Sequence, residues 1–358
     1  MDDRSGHYFN EGVDLFRNGQ YSKAIVFFDE AVAIRPDYPE AWNGRGAAYA
    51  NMGQYTQALD SCDKAVAINP AYFKAWSNRG WVLENLGRHA ESLDSCDKAI
   101  TINPDFSDAW YIRGAALDSL GRHAESLDSC DRAIALNPNN ADAWNIRGNA
   151  LINLDRYTDA LFSYDKVITI NPNLSGAWYN RGNILEKLGQ SPEALSFFDK
   201  AIEIRPDYAE AWNNRGNTLV ILDRINEAVD SYDRAIEIRP DYAEAWYNRG
   251  YALSKLGRYK DAVTSFDKTV VINPEYAEAW YNRGLALSEL GRFEDAVDSY
   301  DSAIDINPDD PGVWNVRGNA LVRLGRDSEA ALSYDTAMII NPDYDKAKQN
   351  RKIAQRKK

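Results

Sequence analysis

Tryptophan recurs in this chain at a fixed interval of 34 residues, and no insertion or deletion breaks the interval. Proline recurs with the same period, from Pro36 to Pro342. Such self-similarity means that one supersecondary element is repeated, which overrides the two or three globular domains that 358 residues would otherwise suggest. The recurring tryptophans are Trp42, Trp76, Trp110, Trp144, Trp178, Trp212, Trp246, Trp280 and Trp314.

We number each repeat so that this tryptophan is position 4. The frame predicts one array over residues 1–344, followed by a C-terminal capping helix with a basic tail over 345–358. The basic residues of that tail are more typical of a solvated helix face than of a binding arm. The ten repeats begin at residues 5, 39, 73, 107, 141, 175, 209, 243, 277 and 311.

Each repeat is predicted to be a pair of helices. In the eighth repeat, a first helical pattern begins near Ala245 and stops at Gly257, and a second runs from about Lys260 to Ile272. Glycine at position 15 suits the left-handed residue that ends a helix, and the two aspartates found there tolerate that conformation. The prolines that lie off the period, Pro39, Pro192 and Pro311, fall in first turns, where proline is accepted.

The residue types at the repeated positions identify a family. Trp at 4, Gly at 8, Tyr or Phe at 17, Ala at 20, an aromatic or small residue at 24, Ala at 27 and Pro at 32 resemble the tetratricopeptide repeat. The resemblance covers nearly the whole chain. It implies an all-α α-solenoid, a right-handed superhelix of ten antiparallel helix pairs whose concave groove binds proteins or peptides. One departure is position 7, where the family usually has a large aliphatic residue and nine repeats here have Arg.

This arginine predicts an ion-pair ladder between repeats. Arg amid apolar neighbours is partly buried and needs a partner, and position 25 is Asp in every repeat. The first repeat has Glu11 at position 7, so pairing each Asp with the Arg sixteen residues later is the register that satisfies all ten aspartates. The alternative is a set of unrelated surface charges. The register pairs, among others, Asp29 with Arg45, Asp63 with Arg79, Asp165 with Arg181 and Asp335 with Arg351.

Function is expected on the stripe formed by positions 2, 6, 9 and 13 of the first helices, which lines the groove in the family. Asparagine amides there match the N–H and C=O groups of an extended peptide, and tyrosine adds rigid contact area. The alternative is a merely solubilising polar surface. The predicted peptide-binding residues are Asn78, Asn180, Asn214, Asn248 and Asn282 at position 6, Asn149, Asn183, Asn217 and Asn319 at position 9, and Tyr111, Tyr179, Tyr247 and Tyr281 at position 5.

The charge of the chain indicates which kind of partner it binds. The net charge of -13 disfavours nucleic acid, and position 2 is mostly acidic, so we expect a neutral or basic protein or peptide. The clamp that some family members use for C-terminal carboxylates needs Lys at 5 and Arg at 6, which no repeat has, and Lys74 alone supplies Lys at 2. No apolar run suits a membrane span or a secretory signal, which predicts a cytoplasmic protein.

A catalytic role is not expected, because an enzyme needs a unique set of groups and this chain repeats its own. His89 and His123 occupy one repeat position, and Cys62, Cys96 and Cys130 another, so the thiols are predicted to be small buried residues rather than ligands of a metal or a cofactor. The leading hypothesis is a monomeric peptide-binding scaffold. The alternative is a structural protein that associates with itself through the same surfaces.

Overall fold

The computed structural model describes residues 4–355, and all of its regular structure there is helical. The first three residues of the predicted array and the last three of the predicted tail lie outside this range. The helices are α1 Arg4–Arg17, α2 Tyr21–Ile34, α3 Pro39–Asn51, α4 Tyr55–Ile68, α5 Phe73–Asn85, α6 His89–Ile102, α7 Ser107–Ser119, α8 His123–Leu136, α9 Ala141–Asn153, α10 Tyr157–Ile170, α11 Ser175–Lys187, α12 Ser191–Ile204, α13 Ala209–Ile221, α14 Ile225–Ile238, α15 Ala243–Lys255, α16 Tyr259–Ile272, α17 Ala277–Glu289, α18 Phe293–Ile306, α19 Pro311–Arg323, α20 Asp327–Ile340 and α21 Asp345–Gln355.

Consecutive helices pack in pairs, which confirms the predicted all-α class of helical hairpins. We call these pairs hairpins 1 to 10, with α1 and α2 as hairpin 1. The chain divides into two compact bodies, an N-terminal body Met1–Ala177 and a C-terminal body Trp178–Lys358, with the division inside α11. The right-handed sense of the superhelix and the single array over 1–344 stay predictions.

The helices end where the sequence indicates. In the eighth hairpin the first helix stops at Lys255, two residues before Gly257, because Gly257 itself has left-handed backbone with φ of 70°. Asp155 and Asp223 adopt the same conformation, with φ of 56° and 59°, as predicted for position 15. Pro39 and Pro311 are the first residues of α3 and α19, so neither removes a hydrogen bond within its helix.

Close approach of the two helices in a hairpin depends on glycine at position 8. A Cβ atom built on Gly216 would lie 2.5 Å from Cε1 of Tyr232, the position 24 residue of the same hairpin. The ring of Tyr232 is 1% exposed and fills the space that the missing side chain leaves. In hairpins 2 to 4 a cysteine replaces the ring: Cys62, Cys96 and Cys130 are free and fully buried, as expected from their spacing.

Burial should keep these thiols unreactive. It raises the pKa of Cys62 and of Cys130 from 9.0 to about 12 and raises that of Cys96 as well. We expect no labelling of the native chain by Ellman's reagent at pH 8 and labelling of all three thiols in denaturant. Rapid labelling of the native chain would contradict the buried placement.

The same shifts predict alkaline instability. The folded chain favours the neutral thiol, so this contribution to stability is complete below about pH 9 and is lost as pH rises towards 12. In urea titrations the free energy of unfolding should fall over that range. The variant with all three cysteines changed to Ala keeps the tyrosines, so a shallower fall in that variant isolates the thiol contribution.

Candidate functional site

Within each body, a guanidinium group joins a hairpin to the one before it. Arg79 Nε donates to Asp63 Oδ1 at 2.6 Å, and the same bond recurs sixteen residues apart along both bodies. Arg317 contacts Asp301 in the same way. The other pairs, with Nε to Oδ1 distances from 2.5 to 2.9 Å, are Arg45–Asp29, Arg113–Asp97, Arg147–Asp131, Arg215–Asp199, Arg249–Asp233, Arg283–Asp267 and Arg351–Asp335.

Arg351 lies in α21, which packs against α20 and α19 and continues the pattern of a first helix. Its Nη2 also donates to Asp335 Oδ2 at 3.1 Å, so the last aspartate is held by two bonds. The remaining predicted pair, Asp165 with Arg181, joins residues of different bodies and stays a prediction.

The arginine at position 7 also has partners that the sequence pattern did not predict. Arg79 Nη1 donates to Ser95 Oγ at 2.7 Å, and that hydroxyl donates to the carbonyl of Glu91 one turn earlier. The guanidinium carbon lies 5.9 Å from the ring centre of Trp76. The indole of Trp76 donates in turn to the carbonyl of Pro70 at 2.9 Å, in the loop that precedes the hairpin. One arginine therefore contacts the aspartate, serine and tryptophan positions that recur with it.

The sequence contains a pattern that indicates the contact between this arginine and the serine at position 23. Position 23 is Ser in every hairpin that has Arg at position 7 except the sixth, where Phe197 stands there and the guanidinium of Arg181 lies 4.0 Å from its ring centre. Hairpin 1, which has Glu11 at position 7, carries Phe27. Position 23 is thus Ser in eight of the nine hairpins that have Arg at position 7.

Burial of the ladder is uneven. The arginine side chains are 16–24% exposed, whereas the aspartates are 41–52% exposed. A carboxylate that keeps half of its hydration interacts more weakly than a buried one. The 3–5 kcal/mol expected for breaking a fully buried pair is therefore too large here, and about 1–2 kcal/mol fits a half-exposed, charge-assisted bond.

The predicted asparagines at position 6 donate to the preceding hairpin. Asn214 Nδ2 donates to Tyr179 Oη at 3.1 Å and to Asn183 Oδ1 at 2.8 Å, so both of its amide protons are used within the chain. Asn282 donates to Tyr247 Oη at 3.1 Å. Asn78 and Asn248 donate to asparagines at position 5, at 2.9 and 3.0 Å. These side chains lie in rows and are half-buried. Their hydrogen bonds join the first helices of neighbouring hairpins. Asn180 lies beside the division between the bodies.

The asparagines at position 9 have a different partner. Tyr232 Oη donates to Asn217 Oδ1 at 2.8 Å. The same bond joins Tyr164 to Asn149 at 2.6 Å and Tyr334 to Asn319 at 2.9 Å. A buried tyrosine hydroxyl needs an acceptor, which accounts for the amide at position 9 in these hairpins. Burial raises the pKa of Tyr232, so the hydroxyl stays a donor at neutral pH.

The side chains of the tyrosines at position 5 are half-buried rather than fully exposed to solvent. Tyr179 lies 4.8 Å from Tyr208, and Tyr247 stacks on Tyr276 at 4.9 Å, measured between ring centres. Burial raises the pKa of Tyr247, of Tyr281 and of Tyr111. The rings of Tyr179 and Tyr247 thus pack against a tyrosine in the loop that follows their own hairpin.

The two histidines make the same contact in consecutive hairpins. His89 Nδ1 lies 2.9 Å from Glu84 Oε1, and His123 Nδ1 lies 2.6 Å from Asp118 Oδ1. Ser119 Oγ donates to the same Glu84 Oε1 at 2.8 Å. Over residues 4–355 there is no group of three or more His, Cys, Asp or Glu side chains suited to a metal ion.

Models of the tetratricopeptide repeat match most of the chain. One matches residues 39–72, 73–106, 107–140, 141–174 and 175–208, whose starts coincide with those of repeats 2 to 6 in the frame above. Others match residues 247–311, 281–345 and 197–230, and a model described as TPR repeat matches 12–53 and 216–257. The chain belongs to the tetratricopeptide repeat (TPR) family.

Solved TPR structures are similar to it. YrrB, described as a TPR protein with an unusual peptide-binding site, is 26% identical, with a TM-score of 0.44 over 52% of this chain and 96% of YrrB. MamA is 25% identical, with a TM-score of 0.41 over 46% and 96%. PilF of Pseudomonas aeruginosa, 17% identical over 57% and 93% with a TM-score of 0.51, shares the fold. A comparison with curated proteins found no match.

The first helices of the TPR hairpins form the inner face of each body. Successive first helices touch one another from α1 to α9 and from α13 to α21. No comparable contact joins successive second helices in the range that the structure describes. Hairpins therefore stand closer together at their first helices, and the stripe with the asparagines and tyrosines lies on the concave side of each body. None of the described helices is long and apolar enough to cross a membrane.

Removing one carboxylate of the ladder should destabilise the fold. Asp233→Asn weakens the bond to Arg249, which is 18% exposed, and we expect a loss of about 1–2 kcal/mol in the free energy of unfolding. Chemical denaturation followed by circular dichroism measures the change. The matched control is Glu227→Gln, which breaks a pair with Arg224, an arginine that is 45% rather than 18% exposed, and should shift the midpoint less. Equal shifts in the two variants would mean that the ladder is superficial.

The Tyr–Asn bond can be tested with a double-mutant cycle. Asn217→Leu leaves the buried hydroxyl of Tyr232 without its acceptor and should cost about 1–2 kcal/mol. Adding Tyr232→Phe removes the unsatisfied hydroxyl and should recover part of this loss, because hairpin 8 already combines Phe266 with a residue other than asparagine. Strictly additive losses would show that the bond contributes nothing.

Proposed function

We propose that this chain is a non-catalytic scaffold that holds an extended segment of a partner protein along the concave first-helix face. TPR arrays of this kind are typically protein-interaction scaffolds without a catalytic site. The observation that carries the proposal is the row of Asn and Tyr side chains, in which residues one repeat apart are hydrogen-bonded to each other. Because the spacing of equivalent groups is set by these bonds, the face is organised before any partner arrives.

The chemistry of this face supports a neutral or basic partner for the C-terminal body. Glu244 and Glu278, at position 2 of adjacent hairpins, are exposed and flank the asparagine row. Tyr251, at position 9, is 42% exposed and offers a rigid amphipathic ring. Since the donors of Asn214 are already used within the chain, we assign the binding contacts to the tyrosine edges, the carboxylates and the amide oxygens that border the row. The asparagine donors then act by positioning their neighbours.

The proposal predicts where a partner crosslinks. A photoreactive p-benzoylphenylalanine in place of Tyr251 lies on the first-helix stripe, whereas one in place of Leu332, which is 66% exposed on α20, lies on a second helix. After irradiation in extract of the source cells, we expect a discrete adduct from the Tyr251 probe and none from the Leu332 probe. Changing Glu244 and Glu278 to Gln should reduce the adduct.

Three outcomes would contradict this assignment. Equal adducts from both probes would remove the concave face as the binding site. Adducts that consist of a second copy of the chain would favour self-association, and light scattering of the purified protein would then show a mass above 40.3 kDa that rises with concentration. Adducts that survive the Gln variant unchanged would overturn the preference for basic partners.

A further inference from the structure

The N-terminal body has a concavity on its first-helix face. A cavity of about 610 Å³ opens between the first helices of hairpins 1 to 3. Its apolar lining includes Phe9, Phe16, Phe28 and Trp81, and the amides of Asn43 and Asn78 border it. The cavity therefore combines an apolar interior with polar groups at its edge, which is typical of a site for a side chain and the backbone around it.

The cavity exists because hairpin 2 has no side chain at position 6 and only a methyl group at position 9. Hairpin 2 has Gly44 at position 6 and Ala47 at position 9, where hairpins 6 and 7 have asparagine at both positions. A Cβ atom on Gly44 would lie 2.7 Å from Cζ of Phe28, so the phenyl ring occupies the space directly beneath it. Hairpin 2 also has Cys62 at position 24, so it has no buried tyrosine that requires an asparagine at position 9. Hairpin 2 therefore presents no amide at positions 6 and 9, and the partly exposed rings of Phe9, Phe16 and Trp81 line the cavity.

The charge at the rim differs from the rest of the groove. Two cations, Arg17 and Lys74, line the cavity with one carboxylate, Glu40. Arg17 reaches only Asp14, at 3.6 Å, with both side chains largely exposed, and no carboxylate within 4.0 Å of the Lys74 ammonium is found in the described part of the chain. Position 2, which is mostly acidic along the array, is lysine only at residue 74. The rim therefore favours an anionic neighbour of the inserted group.

We propose that this cavity receives a large apolar side chain of an extended partner peptide in which acidic residues stand next to that side chain. The inference deepens the scaffold function proposed above and rests on it. The apolar side chain would lie against Phe16 and Trp81, and the carboxylates would face Lys74 and Arg17. Charge complementarity selects this occupant over a basic peptide, which the carboxylates at position 2 favour in the C-terminal body.

Fluorescence anisotropy with three labelled peptides tests the assignment on the full chain. Each probe is a fluorescein-labelled nonapeptide of glycine and serine with a different centre: Asp-Trp-Asp, Lys-Trp-Lys or Asp-Ala-Asp. We expect the Asp-Trp-Asp peptide to bind roughly tenfold or more tightly than each of the other two, because it alone supplies both the large apolar side chain and the carboxylates. Equal affinities for the three peptides would overturn the proposal.

Variants locate the binding. Ala47→Leu fills the cavity but keeps it apolar, and it should abolish the preference for the Asp-Trp-Asp peptide. Ala115→Leu makes the same change at position 9 of hairpin 4 and should leave the preference intact. The combination Lys74→Glu and Arg17→Glu should reverse the order of the two Trp peptides. Should Ala47→Leu fail to fold, Ala47→Asn introduces the residue that hairpins 5 to 7 carry at this position.

The outcomes separate this inference from the scaffold proposal. A preference that survives Ala47→Leu or Ala47→Asn in a folded chain overturns the cavity as its source. If the chain binds none of the three peptides, or binds all three with the same affinity, while a partner still crosslinks at Tyr251, the inference is overturned. The scaffold proposal then remains intact. Loss of both signals overturns both.

Discussion

Stacking in each body depends on one guanidinium group per junction. The arginine at position 7 bonds to an aspartate of the preceding hairpin and a serine of its own, and it lies over the tryptophan of its own first helix. A planar group with five fixed donors can do this, whereas a lysine ammonium cannot bond in three directions within one plane. The tryptophan then donates to the proline carbonyl of the connecting loop. Positions that look independently repeated in the sequence are therefore parts of one contact.

The residue at position 24 is related to the polarity of position 9 on the concave face. Tyr164, Tyr232 and Tyr334 each donate a buried hydroxyl to an asparagine at position 9. Tyr300 has Leu285 at position 9 and has its hydroxyl 3.1 Å from Ser288 Oγ instead. In hairpins 2 to 4, where position 24 is cysteine, position 9 is apolar and the face opens into concavities. A buried tyrosine hydroxyl needs an acceptor, which links the core residue in three hairpins to an amide on the concave face.

Part of the candidate site followed from the sequence, and part did not. The register of the arginine and aspartate could be derived, because Glu11 and Arg351 break the symmetry at the two ends of the array. The asparagines at positions 6 and 9 could be placed on the inner stripe. Their hydrogen-bond partners could not, because an amide serves a peptide and a neighbouring side chain equally well. The structure shows that Asn214 and Asn217 bond within the chain, and their contact with a peptide stays a prediction.

The sequence by itself determined the family, the helical hairpins, their boundaries to within two residues and the burial of the three cysteines. It could do so because a strict period of 34 places every side chain in an environment repeated ten times. Only the tertiary structure decided how deeply each charged side chain is buried and which asparagine N–H groups donate within the chain. It also showed where Gly44 and Ala47 leave a cavity over Phe28. Those properties depend on distances between neighbouring hairpins, and a repeating pattern of residue types does not specify such distances.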